Sequence, residues 1–180
     1  VSIADPSPDT HVTYTLDASE PLASSPEYPG PIEIEETTVL RARAFRSGYQ
    51  PSPIASHTYV LEDQPSLAVV CLVTDPSNLW DDEQGIYVRG PHAWPVHPYY
   101  NANFWMDWER PVHVELHDLF GTGFRQDLGL KIHGGITRTF PQKSLRLIAR
   151  GGYGADAIEY PFFPDLPVTN FERLVLRNAG

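Results

Sequence analysis

The chain has 180 residues, 13 of them basic and 23 acidic, for a net charge of −10, with 18 prolines and a single cysteine. That length fits one ordinary domain or two small ones, and 41% hydrophobic with 20% charged content is that of a folded chain. The prolines disfavour long helices, the lone Cys71 excludes an internal disulfide, no apolar run approaches the roughly 20 residues that span a bilayer, and the acidity argues against nucleic acid, which demands a basic face.

The acidity is uneven. Residues 1–63 hold three basic and ten acidic side chains, a net of −7, whereas residues 64–180 hold ten and thirteen, a net of −3. Val1 opens on strand-like sequence with no basic-then-apolar leader, so no signal peptide is expected. A start at Val1 and an end in "RNAG" read as an excerpt from something longer.

In "HVTYTLD", His11, Thr13 and Thr15 alternate with Val12, Tyr14 and Leu16, the period of a half-buried strand. A turn-rich loop follows, then a short strand at "IEIE". In "TTVLRARAF", Val39, Arg41, Arg43 and Phe45 alternate with Leu40, Ala42 and Ala44. "SGYQPSP" is a turn and "ASHTYVL" a closing strand. Short strands with Pro and Gly turns between them predict a small β-sandwich over residues 1–63, and "EDQPS" reads as a linker. The blocks "YTLDASEPLASSPEY", "PIEIEETTVLRARAF" and "GYQPSPIASHTY" resemble the chitobiase/β-hexosaminidase C-terminal domain family. The resemblance implies an immunoglobulin-like accessory module, a spacer or surface binder and not a catalyst. The family usually has Asp-Gly-Ser in the first turn, where this chain has Asp17-Ala18-Ser19.

The second segment opens with "LAVVCLVTD", a nearly unbroken apolar run expected to be a strand buried on both faces, which makes Cys71 an inert buried thiol. Asp75 before Pro76 fits a helix N-cap, and "GIYVRG" reads as a short strand. The rest is strand-rich with small helical insertions. In "KSLRLIAR", Lys143, Leu145 and Leu147 share one face and Ser144, Arg146 and Ile148 the other. A lysine heading an apolar face is costly unless an anion meets it. Upstream, Gly134 and Gly135 permit a tight turn, Thr137 offers a hydroxyl and Arg138 a planar donor fork. A glycine turn followed by a lysine strand is how kinases hold phosphates, but the pattern alone better describes an ordinary hairpin with Lys143 at its wet end.

Three other clusters stand out. "HVELH" puts His113, Glu115 and His117 on one strand face, read as solvated, with a shared metal as the alternative; it lacks the spacing of zinc helices. Asp75, Asn78, Asp81, Asp82 and Glu83 read as a capped short helix with an acidic turn, or as hard ligands for Ca²⁺. Tyr99, Tyr100, Phe104, Trp105 and Trp108 are core aromatics or a stacking platform for sugar. A nucleophile elbow or a metal helix for an independent hydrolase is missing.

The blocks "VVCLVTDPSNLWDDEQGIYV", "DWERPVHVEL", "LGLKIHGGITRTFPQKSLRLIAR", "YPFFPD" and "FERLVLRNAG" resemble, in order, the N-terminal half of the spore coat protein H (CotH) kinase-like family. The resemblance covers about residues 67–180. It implies that residues 64–180 form the strand-rich N-terminal part of an atypical protein-kinase-like α+β fold, so that the chain as a whole is mainly β with minor α. It further implies a bacterial protein, secreted or on the cell surface, that binds ATP with Mg²⁺ and phosphorylates Ser on extracellular or coat proteins. By that resemblance Lys143 is the nucleotide-contacting lysine, Gly134, Gly135, Thr137 and Arg138 form the phosphate-facing turn, and Arg146 is a secondary match. The family's carboxylates, Mg²⁺ ligands included, lie beyond the block that ends at Gly180. The chain alone is therefore expected to hold no catalytic residue and not to turn over, although Glu172 is a candidate partner for Lys143. The rival reading is a non-catalytic binding or structural protein on a kinase-like scaffold, its β-sandwich docking glycan or cell wall.

Overall fold

The computed structural model describes all residues except 5–6, 62–66, 119–122 and 179–180. The proposed "EDQPS" linker lies outside the described residues. The protein is mainly β, with antiparallel sheets and little helix. By compactness the chain divides into two units, Val1–Asp75 with Glu115–Gly123, and Pro76–Val114 with Phe124–Gly180.

In the first unit, β1 (His11–Thr15), β2 (Thr38–Phe45) and β3 (Ala55–Tyr59) form an antiparallel sheet in that order. A further strand, β4, runs Val69–Val73. Val12 of β1 and Leu40 and Ala42 of β2 are buried in the three-stranded sheet. Thr13, expected on the polar side of β1, is only 1% exposed. The loop after β1 folds back over it: Tyr14 N–H donates to Pro26 O at 3.0 Å, and Thr13 Oγ1 to Leu22 O at 2.9 Å. Residues 32–35 keep the expected in–out alternation but form no strand, being held instead by Val1 through Ile32. The run around Cys71 is not buried on both faces, since Val70 is 41% exposed while Val73 is buried. Cys71 itself is half-buried, and burial raises its thiol pKa, as an inert group requires.

The turn that departs from the family pattern is closed by its own side chains. Asp17 Oδ1 accepts from both Ser19 N–H and Ser19 Oγ, at 3.0 and 2.6 Å, and these bonds lower its pKa. Ala18 between them has φ 66°. That left-handed conformation is the one glycine adopts without penalty, which accounts for the family's preference at this position.

In the first unit, one Asp75 carboxylate oxygen accepts from Glu20 N–H at 2.9 Å. The second unit opens with a single α-turn, α1 (Ser77–Trp80). The expected strand at "GIYVRG" is absent. Ile86 and Tyr87 donate their N–H groups to Asn78 O and Leu79 O, so the carbonyls of α1 take the donors that a ladder would need. The sheet of this unit contains β5 (Arg110–His117), β6 (Arg125–His133), β7 (Ser144–Ile148) and β10 (Arg173–Leu176), in the order β10-β7-β6-β5. A two-residue pair, β8 (Ile158–Glu159) with β9 (Asn170–Phe171), stands apart. Val112, Val114, Leu128, Leu130, Leu147 and Phe104 form the core, each aliphatic side chain worth roughly 1.5–3 kcal/mol on burial.

Candidate functional site

The hairpin β6–β7 carries every residue singled out for nucleotide contact. Its register pairs Lys131 with Arg146, Ile132 with Leu145, and His133 with Ser144. Directly opposed residues share a face, so Lys131, His133 and Arg146 lie on one side of the hairpin and Leu130, Ile132, Leu145 and Leu147 on the other. Lys143 precedes β7 on the apolar side. The structure therefore separates Lys143 from Arg146.

The apolar side holds the glycine corner. After His133, Gly134 adopts φ 112°, and a β-carbon there would strike the Thr137 hydroxyl. Gly135 has φ −99° and open space beside it, so a larger residue would fit. Residues Ile136–Thr139 form one 3₁₀ turn. Arg138 closes it, donating from Nε to Gly134 O at 2.7 Å and from Nη1 to Phe104 O and Trp105 O at 3.2 and 3.3 Å. Its fork is thus spent largely on backbone carbonyls, which makes Arg138 a clamp of the loop.

Lys143 is 8% exposed and does not stand at a wet strand end. Its N–H donates to the Tyr87 hydroxyl at 2.8 Å and its Nζ to Phe140 O at 2.8 Å. The ammonium also lies 4.6 Å from the Phe104 ring centroid and 5.1 Å from that of Tyr87, both attractive for a cation. Among the described residues no carboxylate pairs with it, and Glu172 is exposed. Burial and then the Arg89 charge push its pKa down.

The polar side is a cluster of cations. Arg146 Nη2 donates to His133 Nδ1 at 2.8 Å, which fixes the imidazole as neutral with Nε2 protonated. Burial, then Arg146, Arg138 and Arg177, hold the His133 pKa below its ordinary value. Lys131 pairs with Asp107, an exposed carboxylate whose pKa is lowered by Lys131 first and by Arg138 and Arg146 as well. His133 and Arg177 were not singled out from the sequence. The signal was present as the alternation of Lys131 and His133 opposite Arg146, but it needs the register to be seen.

The remaining clusters resolve as structure. Glu115 is not on a solvated face: it is fully buried, accepting from Thr58 N–H at 2.6 Å and bonded to His57 Nδ1 at 2.7 Å. His117 Nε2 is 3.8 Å from the same carboxylate, while His113 bonds to Asp127 at 2.7 Å. Among the described residues no group of three or more His, Cys, Asp or Glu is placed to hold a metal. Asp81 caps its own turn through Glu83 and Gln84 N–H. Phe104 is core, Trp105 donates to Pro98 O, Arg89 stacks on Tyr99 at 3.7 Å and Arg110 on Trp108 at 5.1 Å, while Tyr100 is half exposed beside Trp94. Two open depressions, lined by Glu35, Glu36, Thr37 and Leu61 and by residues of β8, β9 and their flanks, do not involve the hairpin.

Residues 1–56 match the family model described as the chitobiase/beta-hexosaminidase C-terminal domain. No curated protein and no solved structure matches the chain.

Proposed function

We propose that this chain supplies the nucleotide-binding lobe of a CotH-like protein serine kinase, secreted or on the cell surface, with the β-sandwich as its accessory module. The observation that carries this reading is Lys143: a buried ammonium with no carboxylate partner among the described residues, set beside the Gly134 turn. A buried cation met only by one carbonyl and two rings retains attraction for an anion. Lys143 and the Gly134–Thr137 turn are the groups that would meet ATP phosphates, which supply the transferable phosphoryl group. Mg²⁺ has no candidate cluster among the described residues, and the serine-orienting carboxylate is likewise assigned outside them. Arg146, on the opposite face, does not join this site.

The test is titration of the chain with ATP and Mg²⁺, comparing wild type with Lys143→Ala. Binding should weaken at least tenfold in the variant; equal binding would remove Lys143 from the site, and no binding by either would remove the nucleotide reading.

A second reading, glycan or cell-wall docking by the β-sandwich in a non-catalytic protein, is favoured by the family match of residues 1–56. Retention on polysaccharide that survives Lys143→Ala would support it, and failure to bind any polysaccharide would leave it without support.

A further inference from the structure

The polar side of the hairpin has no role in the nucleotide site, yet it concentrates positive charge in a chain of net −10. Lys131 and Arg146 are cross-strand partners, and Arg146 is in turn opposite Val175 on β10. Continuing the alternation Arg173, Val175 puts Arg177 on this same side, and its charge acts on His133 together with those of Arg138 and Arg146. Arg146 and Arg177 have no ion-pair partner among the described residues. Among the described residues Lys131 forms an ion pair with the exposed Asp107, and its charge also acts on Glu109, a carboxylate already held by Arg150 and Tyr153. Like charges so gathered repel one another and cost stability, and His133 has been kept neutral so as not to add to them. The bond from Arg146 to Nδ1 also leaves the Nε2–H of His133 as a spare donor.

We propose that this face, formed by Lys131, His133, Arg146 and Arg177, is a binding site for a pyrophosphate group, carried by a small molecule. The chemistry is that of donors matched to a multiply charged oxyanion: two guanidinium forks, an ammonium and an imidazole N–H. A single carboxylate would neutralise only part of the charge, whereas a diphosphate brings enough negative oxygens to satisfy donors on three adjacent strands. Val175, 41% exposed between Arg146 and the solvent edge, gives an apolar floor on which the rest of such a molecule can rest.

The site is separate from Lys143, so the experiment distinguishes the two. Inorganic pyrophosphate and ADP are titrated in parallel into wild type, Arg146→Gln, Arg177→Gln and Lys143→Met at low and moderate salt. Folding is monitored by thermal melting, and the exposed Arg177 supplies a variant that leaves the core untouched. Pyrophosphate should bind wild type, weaken at least tenfold in both arginine variants, persist in Lys143→Met, and fall off as salt rises. If ADP competes with pyrophosphate, the group arrives on a nucleotide; if ADP fails to compete, it arrives as free pyrophosphate or on another carrier, and either outcome keeps the site. Absence of pyrophosphate binding, or binding lost in Lys143→Met and retained in both arginine variants, would overturn it.

Discussion

The two faces of the β6–β7 hairpin solve opposite problems with the same backbone. One buries leucines and isoleucines and accommodates one lysine by wrapping it in a carbonyl and two aromatic rings. The other leaves Arg177 exposed and Lys131 and Arg146 part-buried, and relieves them with a neutral histidine and one exposed aspartate. Positive charge is thus tolerated in a buried place only as a single, fully solvated-by-protein group, and in numbers only where water reaches it.

The comparison breaks most sharply at its core. Leu130→Ala should cost about 2–5 kcal/mol, because it empties a fully buried position. Val175→Ala on the other face should cost less than about 1 kcal/mol, since much of that side chain already meets water. Chemical denaturation of both variants checks this, and equal losses would mean that both faces are core. A smaller effect is expected at Lys143→Met, which keeps the volume and removes a buried charge: stability should change by less than about 1.5 kcal/mol. A larger loss by the same measurement would show the ammonium to be an essential clamp.

Smaller again is the pH effect of His133. Its folded pKa lies below the ordinary value of 6.5, so as pH falls through 6.5 the unfolded chain takes up the proton first. The contribution of His133 to stability should therefore fall with pH in that window and level off below the folded pKa. Melting curves of wild type and His133→Gln should show a shallower pH dependence in the variant, and identical slopes would place the titrating group elsewhere. The least effect is expected at Asp107→Asn. That carboxylate is 89% exposed, and pairs of this kind add little; no resolvable change in melting temperature is expected, whereas pyrophosphate binding should tighten.

Much of the fold was legible because its signals are local. Proline and glycine punctuation marked the turns, and alternation correctly assigned Leu145 and Leu147 against Ser144 and Arg146. The departure at Ala18 was also visible, and its φ of 66° gives the physical reason for the glycine it replaces. What escaped was decided by distant partners. "GIYVRG" alternates like a strand, but its N–H groups are claimed by the helix before it. "HVELH" looks solvated until His57 and Thr58, nearly sixty residues earlier, meet Glu115. The cationic face required the pairing of Lys131 with Arg146, which neither strand announces alone. The corner around Lys143 read as an ordinary hairpin from its residue types and as a nucleotide site only through the family resemblance, and Arg138 within it is committed to backbone carbonyls.

Glu115 has a consequence beyond its own burial. β3 is the last strand in the order β1-β2-β3, and an unpaired strand edge is where another chain can add a strand. The carboxylate of Glu115 occupies the Thr58 N–H as a neighbouring backbone carbonyl would. It acts as a one-residue counterfeit of the next strand at a position closed to solvent, Thr58 being 5% and Glu115 0% exposed. Loss of that side chain would strand the Thr58 N–H where water cannot replace the lost acceptor, so the carboxylate completes the fold as a missing carbonyl would.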